Sequence, residues 1–236
     1  MIVSHKYKFI FLKPFKVGGS SVLQALGQHC GPEDIVTSPF DLEGRPCYQK
    51  NNTGFRTHMR PHQIRKRIPQ EIWDTYSKIT IVRNPWDEVV SRYHWKRHRM
   101  TKKRIRLNAG LPWNVWRRHI ARSLPDRPDH DDPRYVRWFT GLANRSGRNR
   151  RFWFDDDGQP LADFFIRYES IEADFQAVCK TLDLPPVPLP HLKGNTRPRD
   201  IPYWEYYTDE TRSIVAERCV DIIKHSGYQF GPPLGQ

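Results

Sequence analysis

The 236 residues carry 39 Lys and Arg against 26 Asp and Glu, a formal charge of +13, with 37% hydrophobic and 13% aromatic content. That balance argues against a disordered chain and fits one α/β domain with a real core, so residues 1–236 are expected to form a single domain. The four cysteines (Cys30, Cys47, Cys179 and Cys219) are scattered and make no Cys-x-x-Cys or Cys/His cluster, which argues against a disulfide scaffold and a structural zinc site.

Residues 1–8 enter a strand directly. Their apolar run is too short for a secretion signal, and no stretch reaches the length that spans a bilayer. A soluble, cytoplasmic protein is expected. Residues 9–12 read as a buried parallel strand, 15–20 as a turn and 21–29 as a helix with Val22, Leu23 and Leu26 inward. Residues 32–54 are rich in Pro, Gly, Asn and Asp and read as loop with a weak strand. Residues 55–59 are ambiguous, and 61–68 form a short basic helix closed by Pro69. Residues 79–82 are the second clear strand. Pro85 then takes the first helical position, where its missing N–H costs nothing, with Asn84 as cap. That helix is predicted to run to about Arg99.

Residues 96–122 are dense in Lys and Arg with Trp113 and Trp116 interleaved, and 123–160 are polar with acidic clusters and prolines. Together, about 96–160 reads as a basic helical and loop insertion. Residues 164–168 are a third strand, 171–182 an amphipathic helix, 185–190 an extended linker and 209–225 the last helix. Strands alternating with helices indicate a mostly parallel sheet covered on both faces.

Two segments carry the chemistry. In Lys13-Pro14-Phe15-Lys16-Val17-Gly18-Gly19-Ser20-Ser21-Val22 a strand turns into a helix. Such a turn aims unpaired N–H groups and the positive end of the helix dipole at one point. Gly18 and Gly19 permit close approach of backbone to an anion, Ser20 and Ser21 add hydroxyls, and Lys16 adds a full charge. The lysine precedes the glycines, so this is not the G-x-x-x-x-G-K-[ST] loop. In the second segment Arg83 ends a strand, where open α/β sheets bind ligands, and its fork suits a phosphate. Ser91 lies seven residues after Asn84, about two turns, on the same helix side. The pair describes a cradle for a nucleotide with phosphates at two separate places.

The two segments resemble the two donor-binding motifs of the sulfotransferase family. The resemblance extends over most of the chain. It departs at Phe15 and Val17, where the family commonly has Pro and Thr, so one hydroxyl is missing. It implies a P-loop-like three-layer sandwich with a central parallel sheet and helices on both faces. It also implies 3′-phosphoadenosine 5′-phosphosulfate (PAPS) as donor, the bisphosphate PAP as product, and transfer to a hydroxyl, less readily an amine. Residues 16–22 then hold the donor, with Lys16 facing the leaving group. Arg83 and Ser91 take the 3′-phosphate, and Lys193, Gly194 and Arg197 form a late basic loop over the nucleotide. The sulfuryl group carries less negative charge than a phosphoryl group, so no metal is required.

Attack by a hydroxyl needs a base, and a histidine suits that task. His58 lies between the two motifs, in a place similar to that of the catalytic histidine of glycan sulfotransferases. His62 and His94 are rivals, and Glu169 reads as structural or acceptor-side, with a role as base the lesser alternative. The histidine points to a carbohydrate acceptor, and the basic run from Arg92 to Arg106 suits an anionic one. Two other classes compete. A nucleic-acid-binding protein would use the basic run and the tryptophans, with steep salt dependence and no need for Lys16. A P-loop kinase is opposed by the lysine order and by the lack of an Mg²⁺-binding acid after a strand.

Overall fold

The computed structural model describes residues 1–37, 50–107 (of 101–107 the backbone), 124–190, 197–198 and 200–232. Cys47, Trp113, Trp116, Lys193 and Gly194 lie outside the described residues. In chain order the elements are β1 (Ile2–Ser4), β2 (Phe9–Phe11), α1 (Gly19–Gly27), β3 (Ile35–Val36), α2 (Pro61–Arg65), α3 (Gln70–Thr75), β4 (Ser77–Val82), α4 (Pro85–Leu107), α5 (Pro133–Ala143), α6 (Arg150–Trp153), β5 (Phe164–Arg167), α7 (Ile171–Thr181), α8 (Asp209–Arg218) and α9 (Val220–Ser226). The chain divides into two compact units, Met1–Asn84 with Arg148–Lys193, and Pro85–Gly147 with Gly194–Gln236.

The first unit holds a five-stranded sheet in the order β3-β1-β2-β4-β5. Strands β2, β4 and β5 are parallel, as expected of an α/β fold, while β1 and β3 extend the sheet antiparallel on one side. The sheet is therefore mixed rather than wholly parallel. The cause is local: only His5, Lys6, Tyr7 and Lys8 separate β1 from β2, and so short a connection joins antiparallel strands alone. Lys8 makes the turn at φ 52°. The Asp34 carboxylate fastens its start, accepting from Ser4 Oγ at 2.7 Å and from the backbone N–H of His5 at 2.6 Å.

Alternation along the strands builds a core on each face. Val3, Ile10 and Leu12 pack with Met59, just before α2, and with Ile64, Ile68 and Trp73 from the α2–α3 segment. Their neighbours Ile2, Phe9 and Phe11 point the other way and are fully buried as well, so both faces are covered. On β5 the covering element is α7. Burial of these side chains at ~25 cal/mol per Å² of apolar surface is the main force holding the sheet.

Helices make up the second unit. Asp132 caps α5 by accepting from the Arg134 N–H, and Thr208 caps α8 with a reciprocal Thr211 bond. The core is aromatic: Tyr93, Tyr135, Phe139 and Tyr206 are buried, with Tyr135 stacked on Phe139 at 5.5 Å. Glu88 and Arg92 form a buried ion pair one turn apart, and the Arg92 guanidinium also donates to the Arg145 carbonyl.

Several boundaries differ from expectation. Helix α4 continues to Leu107 because nothing after Arg99 breaks it, Lys and Arg being good helix formers. The ambiguous residues 55–59 form irregular loop with a turn at Thr57–His58. Helix α2 ends at Arg65, with Lys66 as its cap, rather than running to 68, and Pro69 instead opens α3, which the prediction lacked. The region expected as loop from 123 to 160 contains α5 and α6, and buries Tyr135, Phe139, Phe152 and Trp153. The last helix is interrupted at Cys219, which leaves helical geometry at φ −117°. None of the helices among the described residues is long and apolar enough to cross a membrane.

Candidate active site

Register alone brings the two motif starts to one end of the sheet. Phe11 pairs with Ile79, and Val82 with Arg167. The chain therefore leaves β2 at Lys13, β4 at Arg83 and β5 at Tyr168 on the same carboxyl-terminal edge. This is where open α/β sheets present ligands.

The first loop is shaped by its backbone. Lys16 sits at φ 62° and Gly18 at φ 81°, so the chain turns twice through the left-handed region before α1 begins at Gly19. A side chain at Gly18 would meet the Tyr168 ring at 2.9 Å. At Gly19 a Cβ would stand 3.0 Å from Cγ of Lys13, whose stem is buried beneath the loop. Val17 is fully buried, so the position where the family offers a hydroxyl points into the core. What the loop presents to an anion is thus the N-terminal N–H groups of α1, the half-buried Ser20 and Ser21, and the half-buried Lys16.

A tether from elsewhere fixes this shape. The Phe15 N–H donates to Asn149 Oδ1 at 3.0 Å, and Asn149 Nδ2 donates back to the Phe15 carbonyl at 2.8 Å. Asn149 is 1% exposed and opens α6. Two residues into that helix, Phe152 meets the Phe15 ring edge-on at 5.9 Å. Its neighbour Trp153 donates Nε1–H to the Ile81 carbonyl at 2.9 Å, anchoring the helix to β4.

Arg83 links the second motif to the first. One Nη1–H donates to the Lys16 carbonyl at 3.0 Å, and the guanidinium carbon lies 3.9 Å from the centre of the Tyr168 ring. The side chain is 7% exposed. Arg83 thus braces the left-handed Lys16 turn from the strand end. Glu169 accepts the Asn84 N–H at 2.7 Å and so holds the backbone where β4 gives way to α4.

His58 stands at the same loop. Its Nδ1 is 3.0 Å from the Lys13 carbonyl oxygen. A carbonyl can only accept, so Nδ1 carries the hydrogen, and in the neutral ring the lone pair belongs to Nε2. The imidazole lies face to face with Phe15, centroids 4.1 Å apart and planes 20° apart. His62 is exposed on α2. In the first unit the structure therefore assembles residues 16–22, Arg83 and His58 at one strand edge.

Ser91, Arg197 and His94 belong to the second unit. Ser91 is half-buried on α4. Arg197 is held within its own unit: it is ion-paired with Asp87 and donates to the Ile201 carbonyl at 3.2 Å. His94 is 1% exposed, with Nε2 2.9 Å from the Tyr206 hydroxyl. Burial, assisted by Arg197 and Arg97, pulls its pKa down to about 4. It is a neutral core residue, which removes it from the set of rival bases.

Sequence reasoning missed Asn149, Tyr168 and the part played by Phe15. Asn149 gave no signal, sitting in a polar stretch far from either motif. Tyr168 could have been noticed as the aromatic between a strand end and Glu169. A family model described as the sulfotransferase family matches residues 1–201, most of the chain. No curated protein and no solved structure matches.

Proposed function

This chain belongs to the sulfotransferase family, and from that premise we propose that it transfers a sulfuryl group from PAPS to a hydroxyl of a carbohydrate. The donor set fits such a nucleotide: a strand-to-helix loop with two glycines and two serines, a lysine within it and an arginine bracing it. The observation that carries the reading is the His58 ring. Its Nδ1–H is committed to a carbonyl of the phosphate-loop segment itself.

In this reading His58 Nε2 takes the proton of the acceptor hydroxyl as its oxygen attacks sulfur in line. The bond from sulfur to the 5′-phosphate oxygen breaks, and PAP leaves with the added charge. Lys16 and the first N–H groups of α1 receive that charge, with no reorganisation at the moment of reaction. Arg83 and Ser91 hold the 3′-phosphate. Lys193 and Gly194 belong to the same proposal as loop contacts, together with Arg197. The net charge of +13 favours an anionic glycan as acceptor.

Calorimetric titration with PAP and with ADP, on the wild type and on Arg83→Ala, tests the donor site. The expected result is binding that needs the 3′-phosphate and weakens at least tenfold in the variant, about 1.4 kcal/mol. Equal binding of PAP and ADP would overturn the donor assignment. Transfer of labelled sulfate from PAPS to desulfated heparin and to chondroitin, with His58→Ala as control, tests acceptor class and base together.

A further inference from the structure

We propose that Phe15, with Asn149 behind it, is a positioning device that fixes the tautomer and orientation of His58. The inference rests on His58 being the base, and it concerns a position where the chain departs from the family pattern.

The geometry supplies two constraints on one ring. The Lys13 carbonyl takes the Nδ1 hydrogen and so selects the tautomer. A hydrogen bond at Nδ1 does not by itself set the plane of the ring. The Phe15 face does, because near-parallel stacking at 4.1 Å is lost as soon as the planes turn. Phe15 is itself 45% exposed, so its ring needs a fixed seat. Asn149 provides it by pairing with both the N–H and the carbonyl of Phe15, and Phe152 bounds the ring at its edge.

Proline at this position would offer no such face. It would also lack the N–H that Asn149 accepts. An exposed aromatic on a polar loop, with its backbone clamped by a buried amide, is therefore explained by what it holds. Lys13 and Phe15 come from the phosphate loop, so the segment that receives the leaving group also aims the base.

The test is ¹⁵N-histidine NMR of the full chain at mildly alkaline pH, where a free imidazole is neutral. Long-range ¹H–¹⁵N spectra distinguish Nδ1–H from Nε2–H rings, and His58→Ala assigns the signal. In the wild type His58 is expected as a single Nδ1–H form. Phe15→Leu and Asn149→Ala should give a mixture of tautomers, while Phe15→Tyr restores the single form. PAP affinity should stay within about twofold in Phe15→Leu and Phe15→Tyr, which keep the backbone that Asn149 clamps and so report their folding, whereas Asn149→Ala should weaken PAP binding because it releases the loop.

A wild-type tautomer signal in Phe15→Leu would overturn the proposal and leave Phe15 as a surface or acceptor contact. Failure of the base assignment looks different. His58→Ala would then retain sulfuryl transfer from PAPS, while the spectra would still report whether Phe15 orients the ring.

Discussion

His58 and His94 show how two regions of one chain place the same side chain in opposite surroundings. At the sheet edge His58 is half-buried and turns one nitrogen to a backbone carbonyl. In the helical unit His94 is sealed among Tyr93, Tyr206 and their neighbours, and its pKa falls to about 4. Its Nδ1 has no hydrogen-bond partner among the described residues. Burial in the second environment keeps the His94 ring neutral. Residue type says little here, and the neighbours decide.

The comparison breaks most sharply under substitution. His58→Ala should lower turnover by about 10²–10⁴-fold with an unchanged melting curve, the usual worth of a positioned base. His94→Gln should leave turnover unchanged and act only on stability. Comparable turnover in the two variants would erase the distinction.

Acid sharpens the contrast. The folded pKa of His94 lies below its ordinary value of 6.5, so the unfolded chain takes up the proton first. The stability gained by burying the neutral ring is complete above pH 6.5 and is lost as pH falls towards 4. The loss should reach about 3 kcal/mol at the lower limit. Urea melts of wild type and His94→Gln across that range isolate it, since the carboxylates titrate in both.

Smaller effects probe the loop. Gly18→Ala forces a side chain to φ 81° and against Tyr168. It should cost about 1–2 kcal/mol in a thermal melt and weaken PAP binding in parallel. Trp153→Phe removes one donor from the Ile81 carbonyl. It should cost about 1 kcal/mol, read by denaturant titration, with PAP affinity retained.

The parts of the site that were legible in the sequence are those whose chemistry is local. Gly18, Gly19 and Lys16 announce an anion loop because turn, glycine and charge are neighbours in the chain. Pro85 announces a helix start for the same reason. Asn149 was not legible, because it acts on a residue more than eighty positions away and an isolated Asn carries no trace of its partner, while Tyr168 stands out beside Glu169 but nothing in the sequence sets it against Arg83. The fold followed the same division. Strands β2, β4 and β5 were visible as apolar runs. Helix α6 was hidden, its four residues too few to show a period beside the acidic stretch that follows.

The Asn149 tether also bears on the order in which the molecule is built. It spans 134 residues of sequence, whereas the β1–β2 turn closes over four. Closing the longer loop costs more chain entropy, so the tether is expected to form after the hairpin. During synthesis the phosphate loop leaves the ribosome long before the residue that gives it shape exists. Pulse-labelled hydrogen exchange would show this as late protection of the Phe15 amide relative to that of Ile10. The shape of the first loop would then mature after the hairpin beside it, although the loop lies within the first two dozen residues.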